Sequence, residues 1–290
     1  MVVDRGTARR SGLRIGAVEL SASQLYRLLG RTPERLPLAL LGALCHVLDC
    51  TVEDLCVFHV DTSPSRRTAT ATDASPALTV DIWSDVVCPW CAIGLSALEI
   101  ALKKLDGEVA VELHFQPFEL HPDMGPEGAE VVPYLSKKYG LSADQVERNQ
   151  QMIAERGAAV GFEFRMERRS RTYNTFDAHR LLHWAGEVGA AEQRALKHAL
   201  LSAHFTDGEN PGARGVLLRC AERAGLDPAR AAEVIDGTDY ADAVRTQEAF
   251  YREVGISSVP SVIVNERYLI QGGQPPELFE QSLREIAAEA

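Results

Sequence analysis

The chain has 290 residues, 46% of them hydrophobic and 24% charged, which is globular composition with length enough for one or two sizeable cores. Its net charge of −11 is uneven: residues 5–35 carry seven arginines against Glu19 and Glu34, so the remainder is strongly acidic. That balance argues against nucleic-acid binding by the bulk of the chain and leaves the N-terminus as the one candidate.

No stretch approaches the about 18 consecutive apolar residues of a membrane helix. Arg9, Arg10, Arg14 and Glu19 interrupt any secretory apolar core. The expected compartment is the cytoplasm, with no membrane partner. Six cysteines are too few for a disulfide scaffold, and in a reducing compartment a close pair points to catalysis or metal binding.

In chain order, residues 1–60 read as a small all-α unit. Its helical patterns are Ser21 to Leu29, Leu38 to Leu48, and Thr51 to Leu55, the last with Thr51 as N-cap. Residues 61–77, DTSPSRRTATATDASPA, have linker composition. From 78 to 290 a second domain is expected. It opens with a strand at 77–83, a helix at 89–105 and a strand at 109–118. Helices then fill an insertion at about 129–253. Two strands at 260–273 follow, joined at Asn265-Glu266, and a helix begins at Pro276. The fold class is therefore α/β: a βαβ half and a ββα half separated by a large helical insertion, behind a small all-α unit.

Cys88-Pro89-Trp90-Cys91 lies at the junction of the first strand and first helix. A C-x-x-C in a βαβ setting is a thioredoxin-like dithiol signature. At the helix N-terminus, unpaired N–H groups and the helix dipole favour a thiolate, making Cys88 the attacking sulfur. Cys91, one turn on, is placed to resolve a mixed disulfide. Pro89 suits the first turn, where its missing N–H costs nothing, and Trp90 offers an apolar face beside the sulfur. A structural zinc site would need a second ligand pair, and the chain has no second C-x-x-C. A permanent structural disulfide would constrain little, since the loop is two residues long.

The stretches SDVVCPWC (84–91), FQPFELHPDM (115–124), YNTFDAHRLLHWA (173–185) and GISSVPSVIVNERYLIQGGQPPELF (255–279) resemble the DsbA-like thioredoxin-fold oxidoreductases, and among them the FrnE-type branch. The resemblance covers about residues 78–288. It implies a thioredoxin fold with the helical insertion just described, and a cis Val259-Pro260 bond against the dithiol, with the Val259 backbone pairing with substrate. It also implies a substrate groove lined by the 173–184 helix, with Asn174, Phe176 and His179 as candidate residues. Members usually carry an aromatic residue after the second cysteine; Ala92 stands there, and a more open surface beside the site is expected.

His179, His183 and Glu187 recur at helical spacing, but without a wider ligand set they are read as packing or hydrogen-bonding residues, and no metal is expected. The run 164–171, FRMERRSR, reads as a solvated face, and Cys220 as a small buried hydrophobe. Cys45, Cys50, Cys56, His46 and His59 are not read as a zinc cluster, since Cys45 lies on the apolar face of its helical pattern, where cysteines are usually core.

Residues 20–56 resemble the later helices of Cro/C1-type helix-turn-helix domains, with Ser21 to Leu29 matching the recognition helix. Ser23, Gln24 and Arg27 are the implied base-contacting residues. The preceding stretch, with Gly6, Gly12 and Gly16, is too short for two supporting helices, so DNA is not an expected partner.

The functional expectation is a cytoplasmic thiol-disulfide oxidoreductase, reductase or isomerase in direction. Its partners are protein disulfides or thiols, and glutathione or other small thiols; no cofactor is expected. The alternatives are a glutathione-dependent isomerase or transferase on a small aromatic substrate, whose known kind usually has serine in place of Cys88, and a redox-sensing DNA-binding regulator.

Overall fold

The computed structural model describes residues 12–15, 18–21, 77–253 and 255–289. The chain forms two compact units, Met1–Asp73 and Ala74–Ala290. In the first, strands β1 (Gly12–Ile15) and β2 (Val18–Ser21) pair antiparallel, Gly12 opposite Ser21 and Ile15 opposite Val18. This corrects the all-α expectation. Leu13, Ile15, Val18 and Leu20 alternate with polar residues about Gly16, a period-2 pattern that favours a hairpin. Ser21 thus ends a strand instead of opening a helix. The other expected helices, with Ser23, Gln24 and Arg27, lie outside the described residues.

The second unit is built on a four-stranded sheet in the order β4-β3-β7-β8. Strand β3 (Leu78–Ser84) runs parallel to β4 (Val111–Pro117) and antiparallel to β7 (Ser261–Val264), which pairs antiparallel with β8 (Tyr268–Gln271). Helix α1 (Pro89–Lys104) links β3 to β4, and the last helix closes the chain at Pro276–Glu289. The helix at 89–105, the strands and their joining turn fall within a residue or two of the sequence expectation. At the turn Asn265 and Glu266 both take left-handed backbone (φ 49 and 59), and Arg267 N donates to Val264 O at 3.0 Å. Asn tolerates that conformation through its short polar side chain.

Alternation along β3 divides the core. Leu78, Val80 and Ile82 pack with Leu95, Leu98 and Ala101 of α1 and with Phe279, Leu283 and Ile286 of the last helix. Trp83 belongs to a separate cluster with Phe118, Tyr251 and Ile256, its ring 4.5 Å from that of Tyr251 in an edge-on contact.

Between the halves lies the insertion. Short strands β5 (Ala129–Glu130) and β6 (Arg171–Thr172) pair antiparallel. Helices α2 (Val131–Tyr139), α3 (Ala143–Ala159), α4 (Phe176–Val188), α5 (Ala190–Phe205), α6 (Arg214–Arg223), α7 (Pro228–Asp236) and α8 (Ala241–Glu253) follow in order; the closing helix is α9. Ser142 starts α3 with a capping box, its hydroxyl accepting from Gln145 N while Gln145 Oε1 accepts from Ser142 N. Asp227 and Pro228 start α7.

The insertion has its own core, in which Leu181, Leu196, Leu200, Leu217 and Cys220 are buried. It grips the sheet through Gln193. That side chain accepts from Phe115 N at 3.0 Å and donates to Phe115 O at 3.1 Å and Leu182 O at 3.1 Å, so it covers backbone groups of the edge strand β4. Among the described residues no helix is long and apolar enough to cross a membrane.

Candidate active site

Strand β3 delivers the chain to the site and Asp85 turns it. Asp85 O accepts from Cys88 N at 3.3 Å, and Asp85 Oδ1 accepts from Val87 N at 3.4 Å. Cys88 occupies the N-cap of α1 with extended backbone, and Pro89 is the first helical residue. Cys91 N and Ala92 N both donate to Cys88 O, at 3.1 and 3.4 Å, closing the first turn and bringing both sulfurs to one side. Both are free thiols and both are buried. Burial pushes the Cys91 thiol well above its ordinary pKa, and the hydrogen bond and charge of Cys88 act in the same direction.

The Val259-Pro260 bond is cis, and the Cys88 thiol donates to Val259 O at 3.7 Å. Glycines allow this approach. A Cβ at Gly94, on α1, would stand 3.1 Å from Pro260 Cγ, and one at Gly273 would stand 3.2 Å from Trp90 O. Trp90 is half-buried, with the Arg156 guanidinium 5.3 Å from its ring centroid.

Beneath the dithiol lies a set of charges that the sequence reading did not find. Asp85 is fully buried; its Oδ2 accepts from Leu120 N at 2.7 Å, and His179 Nε2 stands 3.6 Å from its Oδ1. Burial acts to raise the Asp85 pKa, but the neighbouring His179 imidazole, the Leu120 amide and the Lys197 charge outweigh it, leaving the carboxyl below its ordinary value. Lys197, from α5, is 1% exposed and donates to Ser84 O at 3.2 Å. Burial pushes its pKa down, opposed by negative charge at Cys91, Asp85 and Cys88. Lysine is almost never fully buried without a partner. Here the partners are the sulfurs and Asp85.

The three expected groove residues separate. His179 is 2% exposed, with its Nε2 3.6 Å from Asp85 Oδ1. Asn174 donates from Nδ2 to Pro122 O at 3.3 Å and His121 O at 3.5 Å, holding the loop after β4, while its Oδ1 accepts from Phe176 N at 2.9 Å. Phe176 carries the Arg245 guanidinium 3.8 Å from its ring centroid. Arg245 in turn bonds both Glu119 and Glu248, whose Oε1 accepts from Glu119 N at 2.9 Å.

His183 and Glu187 have other partners: the Tyr240 ring lies 5.2 Å from that of His183, and the Tyr240 hydroxyl donates to Glu187. No group of three or more His, Cys, Asp or Glu among the described residues is arranged to hold a metal ion. Phe115, Gln116, Pro117, His179, Leu182 and His183 line a small cavity.

Two further expectations need correction. Ala92 is fully buried in the main core, so it opens no surface beside the site. In the 164–171 run, Arg169 is 7% exposed, with its guanidinium 5.1 Å from the Phe205 ring centroid. Cys220 is buried as read, its thiol pushed up to about 11 by burial.

A strand-to-helix dithiol facing a cis-proline loop, on a sheet interrupted by a helical insertion, defines a thioredoxin-fold architecture. The chain belongs to the DsbA-like thioredoxin domain family, whose profile matches residues 79–284. Residues 9–61 match a Cro/C1-type helix-turn-helix DNA-binding domain. The uncharacterized protein YwbO of Bacillus subtilis is 29% identical over 205 residues, 70% of this chain and 94% of its own. A crystal structure of a probable DsbA oxidoreductase from Streptomyces coelicolor is 33% identical, with TM-score 0.67, over 73% of this chain and 91% of that one. The cytosolic disulfide reductase DsbM of Pseudomonas aeruginosa, solved with GSH, shares the fold at 19% identity, with TM-score 0.50, over 73% of this chain and all of that one.

Proposed function

We propose that the protein is a thiol-disulfide oxidoreductase of the cytoplasm, working through Cys88 and Cys91. The observation that carries this reading is the placement of Cys88 at the N-cap of α1, its sulfur 3.7 Å from Val259 O, with Cys91 one turn further in. The Cys88 thiolate attacks a substrate disulfide sulfur; a Cys88–substrate bond forms, the substrate S–S bond breaks, and the leaving thiolate takes a proton. Cys91 then loses its proton and attacks Cys88 Sγ, forming the Cys88–Cys91 disulfide and releasing the second thiol. Two electrons pass to the substrate, and a cellular thiol restores the dithiol. Val259 presents its backbone to the bound strand, Pro260 keeps that loop against α1, and Pro89 and Trp90 shape the surface beside the sulfur. In a reducing compartment the direction is reduction or isomerisation.

Insulin reduction followed by turbidity, with dithiothreitol as donor, tests the reading. Activity present in the native chain and absent from Cys88→Ser supports it; equal activity in the two overturns it.

The match at residues 9–61 favours a second role, DNA binding by the N-terminal unit. Fluorescence anisotropy of the full chain on labelled duplex, at two salt concentrations, tests it. Binding that weakens as salt rises supports the role, and no binding at low salt removes it.

A further inference from the structure

Two segments from outside α1 reach Trp90. The residue sits in the first turn of α1, two positions after Cys88, so its Cα is about 5–6 Å from that of Cys88. One segment is the chain after β8. A Cβ at Gly273 would stand 3.4 Å from Trp90 Cε3, and Gly272 N donates to Pro260 O at 2.8 Å, tying this chain to the cis-proline loop. The other is α3, whose Arg156 places its guanidinium over the indole, 5.3 Å from the ring centroid.

The turn that carries Arg156 is fixed to the domain by the next residue. Gly157 is buried, and a Cβ there would overlap the Phe164 ring and stand 2.9 Å from Phe162 O, so glycine is what lets α3 pack this closely. Phe162 N and Val160 N both donate to Gly157 O, at 2.9 and 3.0 Å, and the Phe162 ring belongs to the main core. Arg156 itself is exposed, and among the described residues no carboxylate lies within ion-pair distance of it. Its neighbour Glu155 instead accepts from Gln151 Nε2 at 3.1 Å. One turn earlier on the same face Met152 is also exposed. An exposed arginine on a helix is most often only solvated. This one stands on the aromatic ring of the dithiol motif, with its charge unanswered, beside an exposed thioether and a half-buried indole.

We propose that Arg156 is a specificity-determining residue that, with Trp90, favours polypeptide disulfides carrying an acidic side chain within about four residues of the cysteine that Cys88 attacks. The inference rests on the dithiol reading above. The span follows from geometry: an extended strand rises about 3.3 Å per residue, so two to four residues lead from a sulfur at Cys88, past Trp90, to the guanidinium. A polypeptide is specified because Met152 and the indole offer apolar surface on either side of the charge. In a chain of net charge −11 the long-range field disfavours an acidic substrate, so a preference for one has to come from a local cation. In the exchange the carboxylate meets Arg156. The Cys88 thiolate then forms a bond to the substrate sulfur as the substrate S–S bond breaks, and the departing thiolate takes a proton from water.

The test uses the full chain as Cys91→Ser, which halts at the mixed disulfide. Three capped peptides have one cysteine each, activated as its 2-pyridyl disulfide, and differ only in carrying Glu, Gln or Lys two residues to either side. Release of pyridine-2-thiol is followed by absorbance, less the rate of the chain that also carries Cys88→Ser. The expected order is Glu, Gln, Lys, with the acidic peptide ahead of the neutral one by roughly fivefold and the lead shrinking as salt rises. Arg156→Gln removes the lead while the rate with the neutral peptide stays within about twofold, and Arg156→Glu inverts the order. Arg148→Gln, an exposed change about two turns away on the same helix, leaves the order as it was. Equal rates for the three peptides, a lead untouched by Arg156→Glu, or a lead lost equally in Arg148→Gln overturns the proposal and leaves the dithiol reading standing. No Cys88-dependent release from any peptide overturns both.

Discussion

Lys197 gains its meaning from what surrounds it. A cation 1% exposed, with one carbonyl hydrogen bond and with Cys91 and Asp85 as its electrostatic partners, favours the charged form of the resolving cysteine. Cys91 otherwise holds its proton tightly, because burial and Cys88 both raise its pKa. Lys197→Met is therefore expected to slow resolution, by about tenfold if one pKa unit is lost, and to let the Cys88 mixed disulfide accumulate. Acid-quenched alkylation and mass spectrometry read that intermediate; an unchanged lifetime would make Lys197 a packing residue only. Cys88, Cys91, Pro89 and Val259-Pro260 were legible because motif spacing and family pattern name them. Lys197, Arg169 and Asp85 were not, because hydrophobic patterning assigns a charged residue to the solvent side, and only tertiary neighbours reveal that it is buried. For Lys197 a faint signal existed, since it shares a helical face with Leu200, Leu201 and His204.

Elements matter here through what they clamp. Helix α8 is tied to the loop after β4 by Arg245 between Glu119 and Glu248, two carboxylates in one place. Burial, reinforced by Glu248, pushes Glu119 up to about 7, against about 4.3 in an unfolded chain. Between those values the folded protein binds more protons than the unfolded one, so this group's contribution to stability is present below the unfolded value and lost as pH rises toward 7. Glu119→Gln removes the titration. The fall in Tm between pH 5 and pH 8 should shrink in that variant, and a fall equal to that of the native chain would refute this account of the clamp. The strands, α1 and the 265–266 turn were readable from period and turn residues. The paired strands Gly12–Ile15 and Val18–Ser21 are not legible in the sequence because four residues each is too short a run for alternation to stand out.

At the scale of the molecule, the chain divides into its two units after residue 73, and the segment 61–77 contains Arg66 and Arg67 in a Ser, Thr and Pro-rich context. Brief trypsin treatment is expected to cut there and leave a second unit that reduces insulin as the intact chain is proposed to; loss of that activity on the cut would contradict the expectation. The order of halves and insertion was visible in sequence, because a change from period 2 to period 3.6 and back marks it. How the insertion carries buried charge to the dithiol was not, because α5 is brought under Cys88 by packing between elements over 100 residues apart, Lys197 to Ser84.

The central claim is that Cys88 carries the substrate and Cys91 releases it. Peptide mapping of Cys91→Ser after reaction with a disulfide substrate tests it most directly. The account predicts one substrate thiol bonded to Cys88, and in the native chain under the same conditions a Cys88–Cys91 disulfide with no adduct; an adduct on Cys220 or on an N-terminal cysteine instead, with Cys88 free, would contradict it.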